Sequence, residues 1–160
     1  MPSTVFNKLN LKDQREIVVL DPPASFEPEL GRLTGVTVQR QVRPGRAIDF
    51  GLAFATKKTE VDAAARQLAK GMEGDGILWI AYPKGTSRRY TCDFNRDTGW
   101  DVLGSLGFEP VRQVAIDEDW SALRFRRAEF VKSLQRAPER ALSARGKAEA
   151  ARRAPVRRRK

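Results

Sequence analysis

Unbroken apolar runs alternate along this chain with stretches in which apolar positions recur every three or four residues. A strand that is apolar at successive positions buries both of its faces, so such runs belong in a sheet covered on both sides. "EIVVLD" (16–21), "AIDFGLAFAT" (47–56) and "ILWIAYP" (77–83) are runs of this kind, and "VTVQRQV" (36–42) is a weaker strand that gives way to the loop "RPGR". Between them the spacing predicts helices. One runs from Ser25, as N-cap, to Leu33. A longer one follows Thr59 as its cap, with Val61, Ala64, Ala65, Leu68, Ala69 and Met72 on a single stripe, and ends at "GDG". A third is expected from Asp97 to about Leu106, with Gly107 just past its end. "EPVRQVAID" and "WSALRFRRAEF" then read as two strands around the turn "DEDW", Asp117 to Trp120.

Strands alternating with helices predict a mostly parallel α/β sheet, while a short final turn forces the last two strands to be antiparallel. A parallel α/β sheet that ends in a β-hairpin resembles the Rossmann-like methyltransferase class, and that resemblance implies strand order 2-1-3-4-6-5, with "WSALRFRR" inserted backwards between its two neighbours. Composition divides the chain. Residues 136–160 hold ten Lys or Arg against Glu139 and Glu149, a net of +8 within a total of +10. Residues 1–135 are thus expected to form one nearly neutral domain, and residues 136–160, which lack aromatics, a disordered basic tail.

The chain contains no histidine, which removes imidazole acid–base catalysis, Ser-His and Cys-His nucleophile pairs and His-ligated zinc. Its single cysteine, Cys92, cannot form an intramolecular disulfide. Arg88, Arg89 and Arg96 nearby could lower its thiol pKa, against the plainer reading of an incidental or buried thiol. No secretory h-region opens the sequence, and "ILWIAY" is far short of the roughly 20 residues that span a bilayer. A cytoplasmic protein without a membrane span is expected.

"EIVVLDPPASF" poses a sharper question. An apolar run ending in Asp-Pro-Pro, with an aromatic soon after, is how many nucleic-acid methyltransferases present a substrate amine beside S-adenosylmethionine. In those enzymes the motif follows the fourth strand, and a glycine-rich cofactor loop follows the first. Here about fifteen residues precede "VVLDPP", and no strand, G-x-G and helix occur in sequence downstream. The motif stands where the cofactor loop would be, and its prolines stiffen that turn and remove backbone donors. A rigid strand-to-helix turn is the expectation, with no cofactor and no metal.

"KLNLKDQREIVVLDPPASFEPELG", "LWIAYPKGTS", "DFNRDTGWDVLGSLGF" and "VAIDEDWSALRFRR" resemble, over about residues 6–130, a small bacterial family known only as a domain of unknown function. The resemblance implies a cytosolic bacterial α/β domain with a Rossmann-like, methyltransferase-shaped core and no assigned reaction. The long basic tail departs from the minimal family pattern.

Ligands of open α/β sheets bind outside the carboxyl ends of the strands. The candidates at that edge are Asp21, Lys57, Lys84, Thr86, Ser87, Arg88, Asp117 and Trp120. "PKGTSRR" reads either as an anion cradle of hydroxyls and cations or as a solvated turn. "DEDW" offers oxygen ligands but reads first as a solvated turn, and Trp79 and Trp120 read first as core aromatics. Arg152, Arg153, Arg157, Arg158, Arg159 and Lys160 are candidates for nonspecific nucleic-acid or other polyanion contact, against a solubilising tail without a partner. The resulting expectation leans away from an enzyme, toward a noncatalytic module with a polyanion-binding tail. The alternative is an enzyme acting on a phosphorylated or nucleotide-like ligand, or a degenerate S-adenosylmethionine methyltransferase-like protein.

Overall fold

The computed structural model describes residues 4–94 and 98–131. Six strands form one sheet: β1 (Glu16–Leu20), β2 (Thr37–Gln39), β3 (Phe50–Phe54), β4 (Ile77–Pro83), β5 (Phe108–Ala115) and β6 (Trp120–Arg127). Their order is β2-β1-β3-β4-β6-β5. The first four are parallel neighbours, and β6 runs antiparallel to both β4 and β5. The expected topology is the observed one.

Two apolar layers explain why the central strands show no polar alternation. Ile17 and Val19, Phe50, Leu52 and Phe54, and Trp79 and Ala81 face one layer together with Trp120 and Ala122. Val18 and Leu20, Ala53, Leu78 and Ile80, and Leu123 and Phe125 face the other. Each strand residue alternates in direction, and both directions are buried.

The second layer is closed by α3 (Lys58–Gly71) and α4 (Asp101–Ser105), through Val61, Ala64, Ala65, Leu68, Val102 and Leu103. On the first layer lie α1 (Thr4–Lys8), a 3-10 turn (Ala24–Phe26) and α2 (Glu27–Gly31). The short α1 was not anticipated, because five residues carry too little periodicity to register. It is anchored by Val5, Phe6 and Leu9, and the buried Trp79 indole donates to the Leu9 carbonyl at 2.8 Å.

Several helix starts differ from expectation. Ser25 does not cap; it lies inside the 3-10 turn, which Pro23 precedes without a side-chain cap. Thr59 lies inside α3, whose first turn is closed instead by Glu60 reaching back to Thr56 and Lys57. The third helix begins at Asp101, and residue 97 lies outside the described residues. Gly107 sits past its end with φ +91, the left-handed geometry that favours glycine there. The segment 136–160, with its expected disorder, also lies outside the described residues, as do Arg96 and the tail cations.

Candidate functional site

The carboxyl ends of β1, β3 and β4 and the β5–β6 turn form one edge of the sheet, and all eight candidate residues outside the tail lie along it. What they do there differs. Asp21, directly after β1, is exposed and has φ +53, a left-handed conformation that costs a side-chain-bearing residue energy. Pro22 and Pro23 follow, and the Pro23 carbonyl accepts the Phe26 amide at 2.9 Å. The turn is rigid, as its prolines require.

After β3, Lys57 precedes α3. The Glu60 carboxylate accepts from the Thr56 amide at 2.8 Å, the Thr56 hydroxyl at 3.2 Å and the Lys57 amide at 3.2 Å. These bonds, led by the Thr56 amide, hold its carboxyl below the usual glutamate range despite some desolvation. Asp93 accepts the Lys58 amide at 2.7 Å, so the first amides of α3 are already occupied. Neither acid was singled out from sequence. A Glu three residues after the position that precedes the helix, Lys57, was the available signal for the first, while Asp93 arrives from 35 positions away.

The "PKGTSRR" loop is also internally bonded. Ser87 donates to the Asp119 carboxylate at 2.9 Å, its hydroxyl oxygen accepts the Arg89 and Tyr90 amides at 3.2 Å, and the Lys84 amide donates to the Asp119 carbonyl at 2.7 Å. Asp117 accepts the amides of Asp119 and Trp120 at 2.8 and 2.9 Å. Ser87, Asp117 and Asp119 therefore lock two loops together. Lys57, Lys84 and Arg88 form no salt bridge among the described residues and leave cationic charge on the edge.

Trp120 is only 3% exposed and packs between Phe54 and Tyr90, with ring centroids 5.1 and 4.9 Å away. Ala81 and Ala122, paired on the adjacent strands, belong to the same apolar layer. As a stacking platform for a ligand it is covered. Cys92 is partly buried, and that burial pushes its thiol above the ordinary range; Asp93 and Glu60 add to the effect, and the Phe94 amide only partly offsets it. The lowered pKa that its arginine neighbours suggested is not found.

No protein-family model matches the sequence, and no curated protein does. Solved structures do match. A methyltransferase dependent on S-adenosylmethionine from Aquifex aeolicus superposes with TM-score 0.53 at 13% identity, covering 78% of this chain and 88% of that one. The magnesium protoporphyrin IX methyltransferase of Synechocystis covers 77% and 74% at 14% identity with TM-score 0.49. The N-methyltransferase NodS of Bradyrhizobium japonicum covers 70% and 73% at 18% identity with TM-score 0.46. Only the first carries weight, and at that identity it shows the fold. The core is methyltransferase-shaped.

This corrects the leaning away from an enzyme. Absence of a glycine loop and of histidine suggested a noncatalytic module, but the chain shares its fold with a methyltransferase over 78% of its length, and that leaning is withdrawn. The cofactor is a separate matter. Backbone approach to a nucleotide at the end of β1 needs glycines and free amides. Asp21, Pro22 and Pro23 supply one strained residue and two positions without an N–H, so the residues present do not fit S-adenosylmethionine in that cradle.

Among the described residues no helix is long and apolar enough to cross a membrane.

Proposed function

We propose that this protein is a divergent enzyme of methyltransferase shape, acting on a small phosphorylated or nucleotide-like ligand at the carboxyl edge of its sheet. The observation that carries the reading is the strand order β2-β1-β3-β4-β6-β5 with its antiparallel hairpin, shared with a methyltransferase across most of both chains. The side chains at the edge support the ligand class. Lys57, Lys84 and Arg88 offer charge that no carboxylate neutralises among the described residues, and Thr86 is an exposed hydroxyl beside them. Asp21 is the acid nearest the end of β1 and the candidate for proton transfer or for orienting a ligand hydroxyl.

Melting in the presence of nucleotides, sugar phosphates and S-adenosylmethionine tests the reading. A true ligand at 100 times its Kd adds about 2.7 kcal/mol to stability. Phosphorylated ligands should stabilise the wild type, and Lys84→Ala should weaken their binding by about 1.5–3 kcal/mol, the scale of a hydrogen bond to a charged group. Stabilisation by S-adenosylmethionine at micromolar concentration, lost in Asp21→Ala, would restore a conventional methyltransferase instead. No stabilisation by any of these ligands would remove the anion site.

The basic segment 136–160 is a second, separable element of the proposal. Its net charge of +8 suits sequence-tolerant contact with nucleic-acid phosphates, since it has no aromatic with which to stack on bases.

A further inference from the structure

Away from the carboxyl edge, the β5–β6 hairpin holds an arrangement that folding alone does not account for. Arg112 and Arg124 are directly opposite each other across the antiparallel pair. Side chains at such positions stand about 4.5–5.5 Å apart at Cβ, and like charges there are destabilising. Arg126 follows two residues later on the same face, beside the same strand partner.

The surroundings compensate only Arg126. Its guanidinium makes a two-pronged pair with Asp75, at 2.8 and 2.6 Å. Arg124 has no salt bridge, and its Nε is buried without an acceptor among the described residues. Burial is the main influence holding its guanidinium below the ordinary arginine range; Arg126 and Arg112 push the same way, and Asp75 only partly opposes them. Arg112 is exposed and forms no salt bridge among the described residues. A partly buried guanidinium that faces a second cation, with its Nε unpaired among the described residues, costs stability.

We propose that Arg112 and Arg124 form a binding site for the phosphate group of a small phosphate monoester, on the sheet face of the hairpin and distinct from the crevice. Two guanidinium forks offer more donors than one carboxylate has oxygens. A tetrahedral oxyanion can accept from both at once, which neutralises the repulsion across the strands. A single pair of cations at one cross-strand position addresses one phosphate. Asp75 and Glu109, on either side of Arg126, disfavour a longer polyanion lying along the hairpin.

Inorganic phosphate is the probe, titrated at constant ionic strength against chloride with the melting temperature as readout. Wild type should show a saturable rise. Arg112→Gln, at an exposed position that carries no core packing, should melt higher than wild type without phosphate, because the like charge is gone, and should bind phosphate at least tenfold more weakly. Arg124→Gln should weaken phosphate in the same way, whereas Arg66→Gln, an exposed cation on α3, should leave this response intact. Phenyl phosphate should compete with inorganic phosphate. Absence of a phosphate response, or a response that survives both hairpin substitutions, would overturn the proposal. Loss of the response in Arg88→Gln alone would move the anion to the crevice, and stronger competition from duplex DNA than from phenyl phosphate would replace the site with a nucleic-acid contact.

Discussion

Asp21 shows how a single residue can carry two roles that substitutions separate. Its left-handed backbone costs about 1–2 kcal/mol for an ordinary side chain, less for Asp, and glycine adopts it freely. Asp21→Gly should therefore stay within about 0.5 kcal/mol of wild-type stability, since relieved strain offsets the added chain entropy, whereas Asp21→Ala should lose about 1 kcal/mol. Both should impair ligand binding if the carboxylate acts at the edge. Equal stability of the two variants, by urea denaturation, would count against strain at this turn. Cys92 is a second case at this scale. Burial raises its thiol, so alkylation by iodoacetamide should be slower at pH 7 than for free cysteine, and its rate should rise with a midpoint above about 8.5. Both residues stand out in the sequence, but the sign of each effect depends on surroundings that adjacent letters do not give. Burial beside the apolar layer behind α3 is the largest influence on Cys92.

Among the elements, α3 depends on one carboxylate. Glu60 is held below its usual range by the Thr56 and Lys57 donors, so its folded pKa is depressed relative to the unfolded chain. The stabilisation is then fully present above the unfolded value, about 4.3, and is lost as pH falls through the folded value. Glu60→Gln should cost about 0.5–2 kcal/mol at pH 7, the range of capping substitutions, with the difference from wild type shrinking below about pH 4. Thermal melting of both proteins across pH 3 to 8 checks the sign. The stripe of α3 was legible because fourteen residues repeat one period, yet its cap was misplaced by two positions, from Lys57 to Thr59. Helix ends are set by which carboxylate reaches which amide, and the period says nothing about that. The hairpin is similar. Its two strands were evident, but the register shift between Pro110 and Arg112, and so the facing of Arg112 and Arg124, exists only in the pairing.

At the level of the molecule, most of the net charge sits at one end of the sequence. Ten cations lie beyond residue 135, while the buried residues of the two apolar layers, among the described residues, lie before it. A chain ending at Gln135 should keep the melting temperature of the full protein within experimental scatter and lose nonspecific binding to duplex DNA at moderate salt. For the full chain, log K against log salt should have a slope no steeper than about −7 to −9, which is about −0.9 for each phosphate neutralised by a segment of net charge +8 to ten cations. Retention of full DNA affinity by the shortened chain would place the polyanion contact on the folded body, and unfolding would make the segment part of the structure.

The sequence by itself determined the architecture. Three double-sided apolar strands and a hairpin with a short turn imply a mostly parallel sheet with an antiparallel end, and likeness to a known topology supplies the order observed. It also determined that no imidazole takes part in any chemistry and that the turn after β1 is stiff and poor in donors. Tertiary structure alone decided how the polar residues are used. Ser87 and Asp119, 32 positions apart, meet and bond each other, which withdraws them from the edge, and Trp120 is buried between Phe54 and Tyr90. Arg112 and Arg124 come opposite each other across the hairpin. Burial follows from periodicity, which is local and repeated many times over. The partner of a particular hydroxyl, carboxylate or guanidinium is a single event set by loop closure and strand register, and no repeated pattern records it.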